Sequence, residues 1–200
     1  VKTNPAAGSS GYTDITVVDG SGVSRLARES GDFNLGYQYV VVEATSSGDY
    51  LVTIDGAEGG GVGTYAINAY SVGRDDFGQT VSTSGVAAIN GQSKGKLEHI
   101  FDEDLFRVSL TAGKTYAFEL LGSLGSGGTL DTQNGSTFSL MGADAMLLDT
   151  IATEINRGSP RIQFTARETR DYFLSVGGFD QNDGTYTVKA TEVSADAIAP

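Results

Sequence analysis

The sequence predicts an all-β protein built as two tandem β-sandwich domains of jelly-roll-like layering, and three observations carry that expectation. Apolar residues recur at spacing two almost wherever they cluster, which puts one face of each run on a core and the other in water. Clusters of Gly, Asn, Asp and Ser separate the runs, as tight turns require. The same ordered set of runs then returns after about 122 residues.

Taken in chain order, the first runs are Ile15-Thr16-Val17, Val40 to Ala44, Asp49 to Val52, and a closing strand that starts at Gly63-Thr64-Tyr65. Phe106, Val108 and Leu110 then alternate, followed by Tyr116, Phe118 and Leu120, with Thr111-Ala112-Gly113-Lys114 between them as an expected hairpin loop. Phe138-Ser139-Leu140 comes next. Met141 to Ile155 fits neither period cleanly and is the best helical candidate. Ile162, Phe164 and Ala166, then Tyr172, Leu174 and Val176, then Tyr186, Val188 and Ala190 complete the set. Turn signals lie at Ala112-Gly113, Gly122 to Gly128, Asn134-Gly135 and Asp183-Gly184. Tyr65 and Tyr186, each in a Gly-Thr-Tyr triplet, are expected to anchor the interior.

The repeat aligns Val40 to Ala44, Asp49 to Val52 and Gly63 to Tyr65 with Ile162 to Ala166, Asp171 to Leu174 and Gly184 to Tyr186. Two modules follow: 1–73, whose N-terminal strands are missing, and 74–200, which is complete. Val1 to Gly11 alone occupies the space that Leu105 to Leu110 and Tyr116 to Leu120 fill in the second copy. A sandwich lacking those strands would expose unpaired backbone and a strip of core. The chain is therefore expected to be a fragment of a longer protein, or to receive the missing strands from another chain.

Composition narrows function chiefly by exclusion. Twenty-five acidic against 13 basic residues give a net charge of −12 and a pI near 4.3, which repels nucleic acid and anionic lipid. With no Cys and a single His there is no disulfide framework, no thiolate nucleophile and no multi-histidine metal site. The longest apolar run, Tyr39 to Val42, is far too short to span a membrane as a helix. Absence of Cys, an acidic surface and 28 Gly fit an extracellular, secreted bacterial protein whose export signal was removed or lay upstream.

Asp102 to Tyr116, Gly128-Thr129-Leu130-Asp131, Arg161 to Ala166, Asp171 to Val176 and Gly184-Thr185-Tyr186 form an ordered set of motifs over nearly all of residues 92 to 192. In these the second copy resembles the bacterial pre-peptidase C-terminal domain family. The first copy keeps only the last part of the pattern, from about Tyr12 to Val72. The resemblance implies a small β-sandwich appended to secreted proteases and other exoproteins, with no protease residues of its own.

Calcium is the sharpest chemical expectation, because Ca²⁺ takes six to eight hard oxygen ligands and carboxylates are plentiful here. Asp102, Asp104 and Asp131 are the candidate ligands, with Asp75 and Asp76 as further partners from loops. The resemblance implies the same, since some related modules bind calcium at such loops, although Glu154-Ile155-Asn156-Arg157 stands where the family often carries an acidic pair and Arg157 would repel a cation. Gly60 to Thr64 starts like a calcium β-helix repeat but has Tyr65 where its ligand Asp belongs, and Asp180 to Gly184 has its Gly too early for an EF-hand.

Two further features bear on function. Gly91-Gln92-Ser93-Lys94-Gly95 matches the nucleophile-elbow pattern literally, with His99 nearby, but Ser93 precedes a strand and no elbow context surrounds it. If Val40 and Val42 face a core, Tyr37, Tyr39 and Val41 point outward, and Tyr70 lies opposite Tyr65 and Ile67. Such an aromatic row can hold an extracellular polypeptide or polysaccharide, or be covered by a neighbouring domain. The reading is a non-catalytic accessory or binding module that accompanies a protease or other exoenzyme domain in the same secreted protein. The alternatives are a structural repeat segment of a surface or adhesin-like protein and, more remotely, a serine hydrolase using Ser93 and His99.

Overall fold

The computed structural model describes residues 2–5, 13–22, 25–30, 38–56, 64–99, 102–133, 135–144, 146–152, 159–178 and 182–193. Every regular element among them is a β-strand, and the chain divides into two compact units, Val1–Ser71 and Val72–Pro200.

In the first unit the strands are β1 (Lys2–Pro5), β2 (Thr13–Asp19), β3 (Arg25–Ser30), β4 (Gln38–Tyr39), β5 (Tyr50–Gly56) and β6 (Tyr65–Asn68). They form two antiparallel sheets of order β4-β1-β6 and β3-β2-β5. Alternation in β2 buries Ile15 and Val17, which meet Val40, with Val42 and Tyr50 partly buried against them. Val41 points away and is exposed, as the sequence parity requires.

The second unit holds β7 (Gly91–Leu97), β8 (Glu103–Leu110), β9 (Thr115–Leu121), β10 (Ser136–Met141), β11 (Leu147–Ala152), β12 (Arg161–Thr165), β13 (Arg170–Gly178) and β14 (Gly184–Val193). Two four-stranded antiparallel sheets, β11-β10-β13-β8 and β12-β9-β14-β7, enclose one core, which makes this unit a β-sandwich. Phe106, Val108 and Leu110 from β8 and Leu174 and Val176 from β13 meet Phe118, Leu120, Ile162, Tyr186 and Val188 from the facing sheet. All of them sit at the alternate positions picked out by the sequence.

Where the structure departs from the sequence expectation, neighbouring strands supply the reason. Thr111–Lys114 is no hairpin: β8 pairs with β13, whereas β9 pairs with β12 and β14, so the loop crosses between sheets. Gly113, at φ 80°, makes the bend, and its amide donates to the Ala166 carbonyl. Met141 to Ile155 forms no helix among its described residues, which end β10 and build β11. A strand, β1, lies within Val1 to Gly11, where the sequence predicts that the opening strands are missing. Tyr186 is buried as expected but Tyr65 is exposed. The pocket around Tyr186 is built by β7 and β8: Phe106 meets its ring edge-on at 6.1 Å, and a Cβ on Gly95 would overlap the hydroxyl. Among the described residues the first unit has no strand in those two places.

Candidate functional site

The titratable groups gather at one end of the second unit, where the chain passes from β7 to β8. Asp104 shares parity with Phe106, Val108 and Leu110, so the alternation that builds the core also turns this carboxylate inward, and it is fully buried. Its Oδ2 accepts the Tyr186 hydroxyl, while Oδ1 finds no hydrogen-bond partner among the described residues. A buried carboxylate oxygen left in that state is costly. One ligand oxygen each from Asp75, Asp76 and Asp104 lies within 4.8 Å of the others, with Asp75 and Asp76 at the exposed side.

Two more carboxylates flank this trio. The Asp102 carboxylate accepts the Glu98 amide at 2.7 Å, and the Asp102 amide donates to the His99 carbonyl at 3.2 Å, which closes the turn and buries both acids. Lys96 bridges to this group, its Nζ 3.6 Å from Glu98 Oε1.

Burial is the largest cause of the shifts that result. It pushes Asp104 up to about 8, with the charges of Asp102, Asp76 and Asp75 adding to it and the Tyr186 hydroxyl opposing it. Glu98 rises to about 7 through burial, then through the charges of Asp76 and Asp102, with Lys96 opposing. Asp76 is raised by burial and by Asp75 and Asp102, against a backbone hydrogen bond from Lys96. Tyr186 is held protonated by burial and by Asp104. A divalent cation here would reverse each of these penalties at once, and oxygen-only donors suit a hard ion.

Of the ligands named from sequence, Asp102 and Asp104 belong to this end of the unit. Asp131 is not in the trio: its Oδ1 accepts the Gln133 amide at 2.9 Å, and its backbone amide and carbonyl bond the Asn182 side chain at 3.1 and 2.8 Å. Glu98 went unrecognised in the sequence, because only the turn back to Asp102 brings it in. Of the aromatic row, Tyr39 is half-buried on β4, Tyr70 is exposed beyond β6, and Tyr37 lies outside the described residues, as do Glu154 to Arg157. Ser93 sits inside β7, not before a strand, and its hydroxyl donates to the Val86 carbonyl at 2.6 Å.

No family model and no curated protein matches the sequence. Among solved structures the chain is similar to the pre-peptidase C-terminal domain of collagenase from Bacillus anthracis, at 21% identity and a TM-score of 0.41, over 53% of this chain and 92% of that one. It is also similar to PliG of Aeromonas hydrophila, a periplasmic lysozyme inhibitor of g-type lysozyme, at 14% identity and a TM-score of 0.36, over 53% of this chain and 97% of that one.

Proposed function

We propose that this chain is a non-catalytic accessory segment of an exported bacterial protein, made of two copies of one β-sandwich module, whose complete copy is fastened at one end by calcium. The sequence motifs resemble those of modules that accompany secreted proteases, so its role is binding, spacing or maturation for a companion exoenzyme domain. The single observation that carries the calcium reading is the buried, unpartnered Oδ1 of Asp104 beside Asp75 and Asp76. Asp104, Asp75 and Asp76 would hold the ion, with Glu98 and Asp102 adding negative charge around it. The ion would supply a crosslink between the segment before β7 and the start of strand β8.

A ligand bound only by the native state raises its stability by about 2.7 kcal/mol at a hundredfold excess over Kd. Thermal melts with millimolar calcium and with chelator are expected to differ by several degrees. Asp104→Asn should remove that difference while leaving the chelated protein as stable as the parent or more so, because near neutrality the parent must protonate this buried carboxyl on folding and the amide need not. Equal melting of the parent in calcium and in chelator overturns the calcium reading.

Repetition of a module also fits a stalk-like structural segment. The exposed Tyr70 favours binding over pure spacing. Retention on insoluble protein or polysaccharide should fall at least several-fold in a Tyr39→Ala, Tyr70→Ala double variant. Unchanged retention, or none by the parent, removes the aromatic row from the function.

A further inference from the structure

The two units share more than a sequence pattern. Val17 lies opposite Val52 and Leu140 opposite Leu174, so the β2-β5 and β10-β13 ladders have the same register under the repeat. Lys2 of β1 faces Tyr39 on one side and Asn68 on the other, and Glu119 of β9 faces Arg161 and Lys189. The repeat equates Tyr39 with Arg161 and Asn68 with Lys189. Both ladders therefore place β1 on the second half of β9, and the sheets β4-β1-β6 and β3-β2-β5 reproduce β12-β9-β14 and β11-β10-β13.

What the first unit lacks among its described residues is a counterpart of β8, which pairs with β13, and of β7, which pairs with β14. The apolar positions that those two strands cover in the second unit are open in the first. Tyr65 is 55% exposed where Tyr186 is 1%, Ile67 is 46% where Val188 is 1%, and Val52 is 37% where Leu174 is 0%. Open edges that carry such residues are templates for strand addition.

We infer that β5 and β6 take up two more antiparallel strands, the counterparts of β8 and β7, supplied by residues of the same polypeptide N-terminal to Val1. Continuity selects this occupant. In the second unit the short loop Thr111–Lys114 joins β8 directly to β9, so the strand beside β5 is the one that leads into β1. Its inward residues must be apolar and alternate, and a residue as small as Gly95 must face Tyr65 if that ring is to turn inward as Tyr186 does. The inference rests on the duplication of the module and not on calcium or on any partner.

Amide hydrogen exchange tests it, on the 200-residue chain and on the same chain carrying the residues encoded immediately upstream. The expected result is that central β2 is protected in both, while the free-edge amides of β5 and β6 gain at least tenfold protection only in the extended chain. Val52→Thr and Ile67→Thr, mild enough to fold, should leave the melting of the shorter chain unchanged and reduce the new protection at least tenfold. Unchanged edge protection on extension, or a reading frame with no residues there, overturns the inference. So does edge protection in the shorter chain that grows with protein concentration, since a second copy would then be the occupant. Unprotected β2 in both chains overturns the duplicated fold itself and the inference with it.

Discussion

Phe106→Ala is expected to destabilise the second unit by about 3–5 kcal/mol, the range for emptying a buried aromatic site. Phe106 is fully buried, with its ring centroid 4.8 Å from that of Phe77 and 6.1 Å from that of Tyr186. Its loss therefore opens a void against the segment before β7 as well as between the sheets. For a unit of this size the shift in Tm is on the order of 10 °C. Gly95→Val should be comparably severe by the opposite route, because its side chain would occupy the space of the Tyr186 ring and hydroxyl. Val52→Ala in the first unit, at a position already in contact with water, should cost under about 1 kcal/mol. Chemical denaturation followed by near-ultraviolet tyrosine signals reads all three. A loss below about 1 kcal/mol for Phe106→Ala would mean that the two sheets are not held by this core.

Alternation made the strands legible because it reports which face a residue takes, and Phe106, Val108, Leu110, Phe118 and Leu174 are all inside. It does not report which strand lies alongside. Thr111–Lys114 has the length and the Gly of a hairpin yet links different sheets, since what fixes its path is the bonding of Gly113 and Lys114 to Ala166, far along the chain. Tyr65 and Tyr186 share one local pattern and end in opposite environments, because burial is conferred by β7 and β8 and not by the triplet itself. The site divides in the same way. Asp104 could be read twice over, as an oxygen ligand and as a carboxylate at core parity. Asp131 had the right chemistry, but Asn182 engages its backbone from a distant turn. Glu98 had no signal at all, its position being set by the Asp102 carboxylate closing on its amide.

Stripped of divalent cations, the second unit is expected to lose stability as pH rises from about 4 to about 8. Asp104 is raised from 3.8 to about 8 and Glu98 from 4.5 to about 7, so between those limits the folded protein holds protons that the unfolded chain has released. Unfolding then releases protons, and its free energy falls as pH rises. The stabilising contribution of each group is complete below its unfolded value and gone above its folded one: Asp104 loses it through about 8, Glu98 through about 7. The slope should be on the order of 1 kcal/mol per pH unit near neutrality, opposite in sign to that of a salt-bridged carboxylate. Calcium should flatten or invert it, because a cation favours the ionised form of the groups that burial and mutual repulsion disfavour. Denaturation midpoints at pH 5, 7 and 8.5 in chelator and in calcium measure the effect. A chelated protein whose stability is level or rising over that interval would show that Asp104 is ionised without hindrance. In that case its inward position is no strain for an ion to relieve.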